Sequence, residues 1–96
     1  MPRTWGPEMC TYLTIHAPIE ASAKGPGGQW FAASDAVVYF DHPVHAAADH
    51  TLNIDLPDPR SSTGERIAIE MTAASARELM DAIANVLATV PAELTT

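Results

Sequence analysis

The chain has 96 residues, of which 47% are hydrophobic and 18% charged, enough for one hydrophobic core and a single folded domain. Its net charge of −7, with only five Lys and Arg, argues against nucleic acid and anionic membranes as partners, because both need clustered cations. There is no apolar run of the ~20 residues that cross a bilayer, no secretory signal and only one cysteine, Cys10, so we expect a cytoplasmic protein.

The first strand is predicted to begin near Cys10. Residues 1–8 contain two prolines and a glycine and show no periodicity, so we expect a tail there, or an extension ahead of a start at Met9. From residue 10 apolar and polar residues alternate, which places Leu13 and Ile15 on the inner side of a strand. Pro18 is expected to bend or end this strand, or to leave it at an edge.

Three more strands are predicted after the first. The cluster at 24–28 is rich in glycine and predicts a turn, and the β-branched and aromatic run 37–40 predicts a strand. The cleanest alternation lies at 50–57 and is repeated at 66–71. The residues expected to face inward on these two strands are Leu52, Ile54, Leu56, Ile67, Ile69 and Met71; those expected to face outward include Thr51, Asn53 and Asp55.

The last segment changes to helical periodicity. Apolar residues recur at spacings of four, three and four, at Leu79, Ile83, Val86 and Val90. Thr72 is the expected N-cap, with Ser75 and Glu78 as an alternative capping box, and Pro91 ends the helix.

These elements predict an α+β fold, in which an antiparallel meander of four or five strands carries one C-terminal helix packed on one face. The domain is expected to span residues 9–91, with a short tail at 92–96. A small sheet covered on one face often gains stability by association, so we expect a homodimer.

Three of the four histidines lie between residues 41 and 50. Imidazoles at His42, His45 and His50, beside Asp41 and Asp49, are ligands that zinc, copper or non-haem iron accepts. The alternative is a polar loop between two strands, with no resident cofactor.

The outward side of the sheet offers a second kind of site. A histidine close to a carboxylate forms an acid–base pair that can work near neutral pH, and cross-strand neighbours lie ~5 Å apart. The catalytic candidates are His16, His42, Asp55 and Glu70, and the candidates for ligand binding are Tyr12, Tyr39, Asn53 and Trp30. The same residues are also consistent with a solvated or dimer-facing surface. Cys10 would become a terminal nucleophile only if translation began at Met9.

Four segments resemble a family of small proteins of unknown function from high-GC bacteria: residues 9–14, 22–25, 38–46 and 50–56, which read MCTYLT, SAKG, VYFDHPVHA and HTLNIDL. The similarity continues into the helix start at 72–79. It implies that Met9 is the natural start and that the histidine loop is a feature of the family, and it implies no activity.

We therefore expect a small protein that binds a small organic molecule, either as an accessory protein of specialised metabolism or as a cofactor-free acid–base enzyme such as an isomerase, cyclase or lyase. One alternative is a homodimeric interaction module without catalysis. The other is a metal-binding protein that uses the histidine loop.

Overall fold

The computed structural model describes residues 13–96. They form β1 (Thr14–Lys24), β2 (Trp30–Asp41), β3 (Thr51–Pro57), β4 (Arg66–Met71), α1 (Ala73–Thr89) and a short 3-10 helix (Ala92–Leu94). The strands are antiparallel neighbours in the order β1-β2-β3-β4. The predicted α+β fold is confirmed, with four strands among the described residues. Cys10 and Tyr12 lie outside them.

Strand β1 continues through Pro18. Its register with β2 shifts between Pro18 and Ala21, which is the mark of a β-bulge. Because β1 is an edge strand, a proline there need not donate a hydrogen bond to a neighbour. The strand therefore reaches Lys24 instead of ending at the proline.

Successive side chains of a strand point to opposite faces of the sheet. The register places Tyr39, Asn53 and Glu70 in one row across β2, β3 and β4. We call the side that carries this row the open face. The next row on the opposite side contains Ile54 and Ile69, and we call that side the helix side.

The buried residues are not those that the alternation predicts. Thr51 and Asn53, expected to face outward, are 0% and 4% exposed, whereas Ile69, expected to face inward, is 40% exposed. Among the described residues the apolar core is small: Ala23, Phe31 and Ala33 are buried, and Ile19, Leu56 and Ile67 pack against them. The physical reason is that the loop between β2 and β3 lies over the open face, while α1 leaves much of the helix side uncovered.

Helix α1 begins and ends as predicted. The Thr72 hydroxyl accepts a hydrogen bond from the N–H of Ser75 at 3.1 Å, and the helix ends ahead of Pro91. Its first turns lie beside Phe40 and Leu52 on the helix side. However, none of its 17 residues, all of them described, is buried. Within residues 13–96 no helix has the length and apolarity needed to cross a membrane.

Candidate functional site

The loop at residues 42–50 is attached to the open face by one carboxylate. Glu70, on β4, accepts hydrogen bonds from three consecutive backbone N–H groups, those of Val44, His45 and Ala46; the distances are 3.0 Å for His45 and 2.9 Å for Ala46. These bonds favour the ionised carboxylate, so the pKa of Glu70 is lowered, first by the N–H of Val44 and then by that of Ala46. Glu70 is thus a structural anchor for the loop.

A buried polar pair lies on the same face. The Thr51 hydroxyl donates to Oδ1 of Asn53 at 2.7 Å. Asn53 is the β3 partner of Glu70 in the sheet register. The pair satisfies part of the hydrogen-bonding capacity of both side chains, which is the condition for burying them at acceptable cost.

Beside this pair lies a second polar group. The Tyr39 hydroxyl donates to Oδ2 of Asp55 at 3.1 Å, and Nε of Arg66 lies 3.4 Å from the same oxygen. Burial raises the pKa of Tyr39 above 10.0, and the hydrogen bond and charge of Asp55 raise it further. At neutral pH the phenol therefore stays protonated and acts as a donor. Asp55 is held at one oxygen by a phenol and a guanidinium.

A cavity of about 440 Å³ lies between the loop and the open face, which is within the size range of small-molecule sites. Its walls combine apolar groups with a few polar ones. The polar side chains that line it are Tyr39, His45, Asn53, Asp55, Arg66 and Glu70.

The three loop histidines separate into two groups. The ring centroids of His42 and His50 lie 4.4 Å apart, and His50 also stacks on Phe40 at 5.7 Å. Nδ1 of His42 donates to the carbonyl of Asp49 at 2.9 Å. His45, by contrast, lines the cavity on the open face.

This arrangement does not bring the three candidate metal ligands together. Within residues 13–96 no group of three or more His, Cys, Asp and Glu side chains is placed to hold a metal ion. Instead, two of the three candidate ligands, His42 and His50, form an aromatic column with Phe40.

His16 does not lie beside Asp55 and Glu70, because its strand is not a neighbour of theirs. His16 is on β1, and β2 lies between β1 and β3. Its sheet partner is Val37, and its Nδ1 donates to Oδ2 of Asp35 at 2.9 Å on the exposed surface. Of the four catalytic candidates, only Asp55 and Glu70 line the cavity, and Glu70 is occupied by the loop backbone.

The ligand-binding candidates are likewise divided. Tyr39 and Asn53 line the cavity, whereas Trp30 lies at the opposite end of β2 with 62% of its surface exposed. Arg66 was not among the candidates. The alternation of β4 contains the signal for it, because Arg66 is on the same side of the strand as Glu70.

Comparison with known families adds a classification. The model of a family described as a family of unknown function, DUF6295, matches residues 9–96. The searches of curated proteins and of solved structures found no match.

Proposed function

Since the chain belongs to DUF6295, a family of unknown function, we propose a function from its own geometry: it binds a small polar organic molecule between loop 42–50 and the open face. One observation carries the proposal, namely the three loop N–H groups that bind the carboxylate of Glu70. This attachment holds a loop over polar side chains that would otherwise face bulk water. A location in the cytoplasm stays a prediction.

The polar groups indicate what kind of molecule would bind. The guanidinium of Arg66 is half exposed and can donate to a carboxylate or a carbonyl oxygen. Both contacts of Asp55 with its neighbours use Oδ2, so a donor on the bound molecule, such as a hydroxyl or an amine, would be accepted at Oδ1. We therefore expect a molecule that carries an acceptor and a donor a few ångströms apart.

A chemical role is available to the same groups. Tyr39 and Asp55 share a hydrogen bond, and His45 lines the cavity with them. A phenol, a carboxylate and an imidazole are a set that can move a proton on a bound molecule without a cofactor. A compound that is bound and also converted would make the protein an acid–base enzyme, and one that is only bound would make it an accessory protein.

The test is a titration of the protein with candidate compounds, monitored by the chemical shifts of its backbone amides. Tag-free protein labelled with ¹⁵N is screened against small hydroxy- and amino-carboxylates. We expect at least one compound to shift the amides of residues 44–46 and 66–70 together. Changing Arg66→Gln should weaken that binding about tenfold or more, because a charge-assisted hydrogen bond is lost.

The matched control is Arg77→Gln on helix α1, which removes the same charge away from the cavity and should leave the affinity unchanged. If no compound shifts these amides, or if both variants weaken binding equally, the cavity is not a binding site for this class of molecule.

A further inference from the structure

An uncovered apolar surface follows helix α1. We define the apolar stripe of α1 as Leu79, Met80, Ile83, Val86, Leu87 and Val90. Its central members Ile83, Val86 and Leu87 are 53%, 62% and 55% exposed. They are spaced three and four residues apart, so they lie on one side of the helix.

The second half of α1 also lacks charged residues. From residue 82 to residue 92 the chain contains no Asp, Glu, Lys or Arg. A helix that faces water usually carries charged side chains on its exposed surface. This half of α1 has the composition of a helix that is covered.

The sheet supplies a second uncovered surface. On the helix side Ile15 and Ile69 are 51% and 40% exposed, at the two ends of the row that also contains Val38 and Ile54. The apolar stripe and this row together expose the equivalent of about four whole aliphatic side chains, on the order of 250–500 Å² of apolar area.

That area corresponds to one side of a standard interface. Such an interface buries about 800 Å² on each partner, of which a little over half is apolar. An exposed apolar patch of several hundred Å² is often an interaction site.

We propose that a second copy of this chain covers both surfaces, in a two-fold symmetric dimer built from the apolar stripe of α1 and the helix side of the sheet. Two chains of net charge −7 repel each other overall, so contact between them costs least where the surface carries no charge, as in the second half of α1. A two-fold interface also needs one self-complementary patch, and this patch is uniformly apolar.

The experiment is sedimentation equilibrium of the tag-free full chain, with two matched variants. Leu87→Lys places a charge in the apolar stripe, and Asn85→Lys places the same charge two positions away on the opposite side of the helix. We expect dimers for the wild type and for Asn85→Lys. For Leu87→Lys we expect the dissociation constant to rise at least about thirtyfold.

Both variants reduce the net negative charge by one unit, so weaker association of Leu87→Lys cannot arise from repulsion between the chains. Circular dichroism will verify that both variants keep their helix. A wild-type monomer overturns the proposal, as would a dimer that Leu87→Lys does not weaken, or open-ended association. If Leu87→Lys does not fold, Met80→Lys replaces it in the same comparison. Met80 is 66% exposed and lies near the start of the apolar stripe.

Discussion

Glu70 couples the histidine loop to the sheet through charge, and this makes the loop sensitive to acid. The hydrogen bonds from Val44, His45 and Ala46 are strongest to the ionised carboxylate, and they lower its pKa from the ordinary value of 4.5. A group whose pKa is lower when the loop is attached stabilises the attached state at every pH above its ordinary pKa. That stabilisation is lost as the pH falls through the lowered pKa.

We therefore predict that acid releases the loop before the sheet unfolds. Once the pH falls below the ordinary pKa of glutamate, the amide hydrogens of His45 and Ala46 should exchange severalfold faster, after the rates are corrected for intrinsic exchange. Hydrogen exchange followed by NMR measures this, because each N–H is resolved separately.

Two variants identify the responsible group. In Glu70→Gln the loop amides should already exchange faster at neutral pH, and acid should change their rates little. Glu65→Gln, which removes an exposed carboxylate from outside the loop, should behave as the wild type does. Equal acid sensitivity of Glu70→Gln and the wild type would contradict the assignment.

At the scale of the elements, the N-cap of α1 offers a direct test of local stability. The hydroxyl of Thr72 accepts from the N–H of Ser75 at 3.1 Å and donates to its side-chain oxygen at 3.0 Å. Changing Thr72→Ala should lower the free energy of unfolding by about 1 kcal/mol, measured by urea unfolding at one fixed protein concentration. Thr72→Ser keeps the hydroxyl and should restore most of the loss. If serine and alanine are equally destabilising, the side-chain cap contributes nothing.

Local sequence patterns predicted the elements because their causes are local. The alternation at 51–57 and 66–71, the N-cap at Thr72 and the break at Pro91 each depend on neighbouring residues. By contrast, residues 32–36 are three Ala, one Ser and one Asp and give no strand signal. They are in β2 because they pair with residues 17–22 of β1.

The candidate site was predicted only in part, because its causes are distant in sequence. Asp55, Glu70, Tyr39, Asn53 and His45 were named from residue type and alternation, and the structure places all of them at one cavity. The burial of Thr51 and Asn53 could not be predicted, since it depends on loop 42–50 lying on the open face. That position depends in turn on Glu70, which is 24 to 26 residues from the N–H groups that it binds. His16 was assigned to the site because the order of strands was not known.

For the whole molecule, the small core and the exposed helix suggest that the folding stability of one chain depends on its association with a second copy. Few apolar side chains are buried within the described part of one chain, so an isolated copy has little hydrophobic stabilisation from its own packing. If two copies cover each other's apolar surfaces, folding and association become linked, and the apparent stability depends on protein concentration.

The consequence is a melting temperature that rises with protein concentration. For a dimer of chains of this size, a tenfold increase in protein concentration should raise Tm by roughly 3–5 °C. Differential scanning calorimetry over two decades of concentration measures this. Asn85→Lys should keep this dependence. Leu87→Lys should lose it at concentrations below its raised dissociation constant, because monomers have no partner to release on unfolding. A wild-type Tm that is independent of concentration would mean that one chain is stable alone despite its exposed helix, and that the apolar stripe of α1 contributes nothing to folding through a second copy.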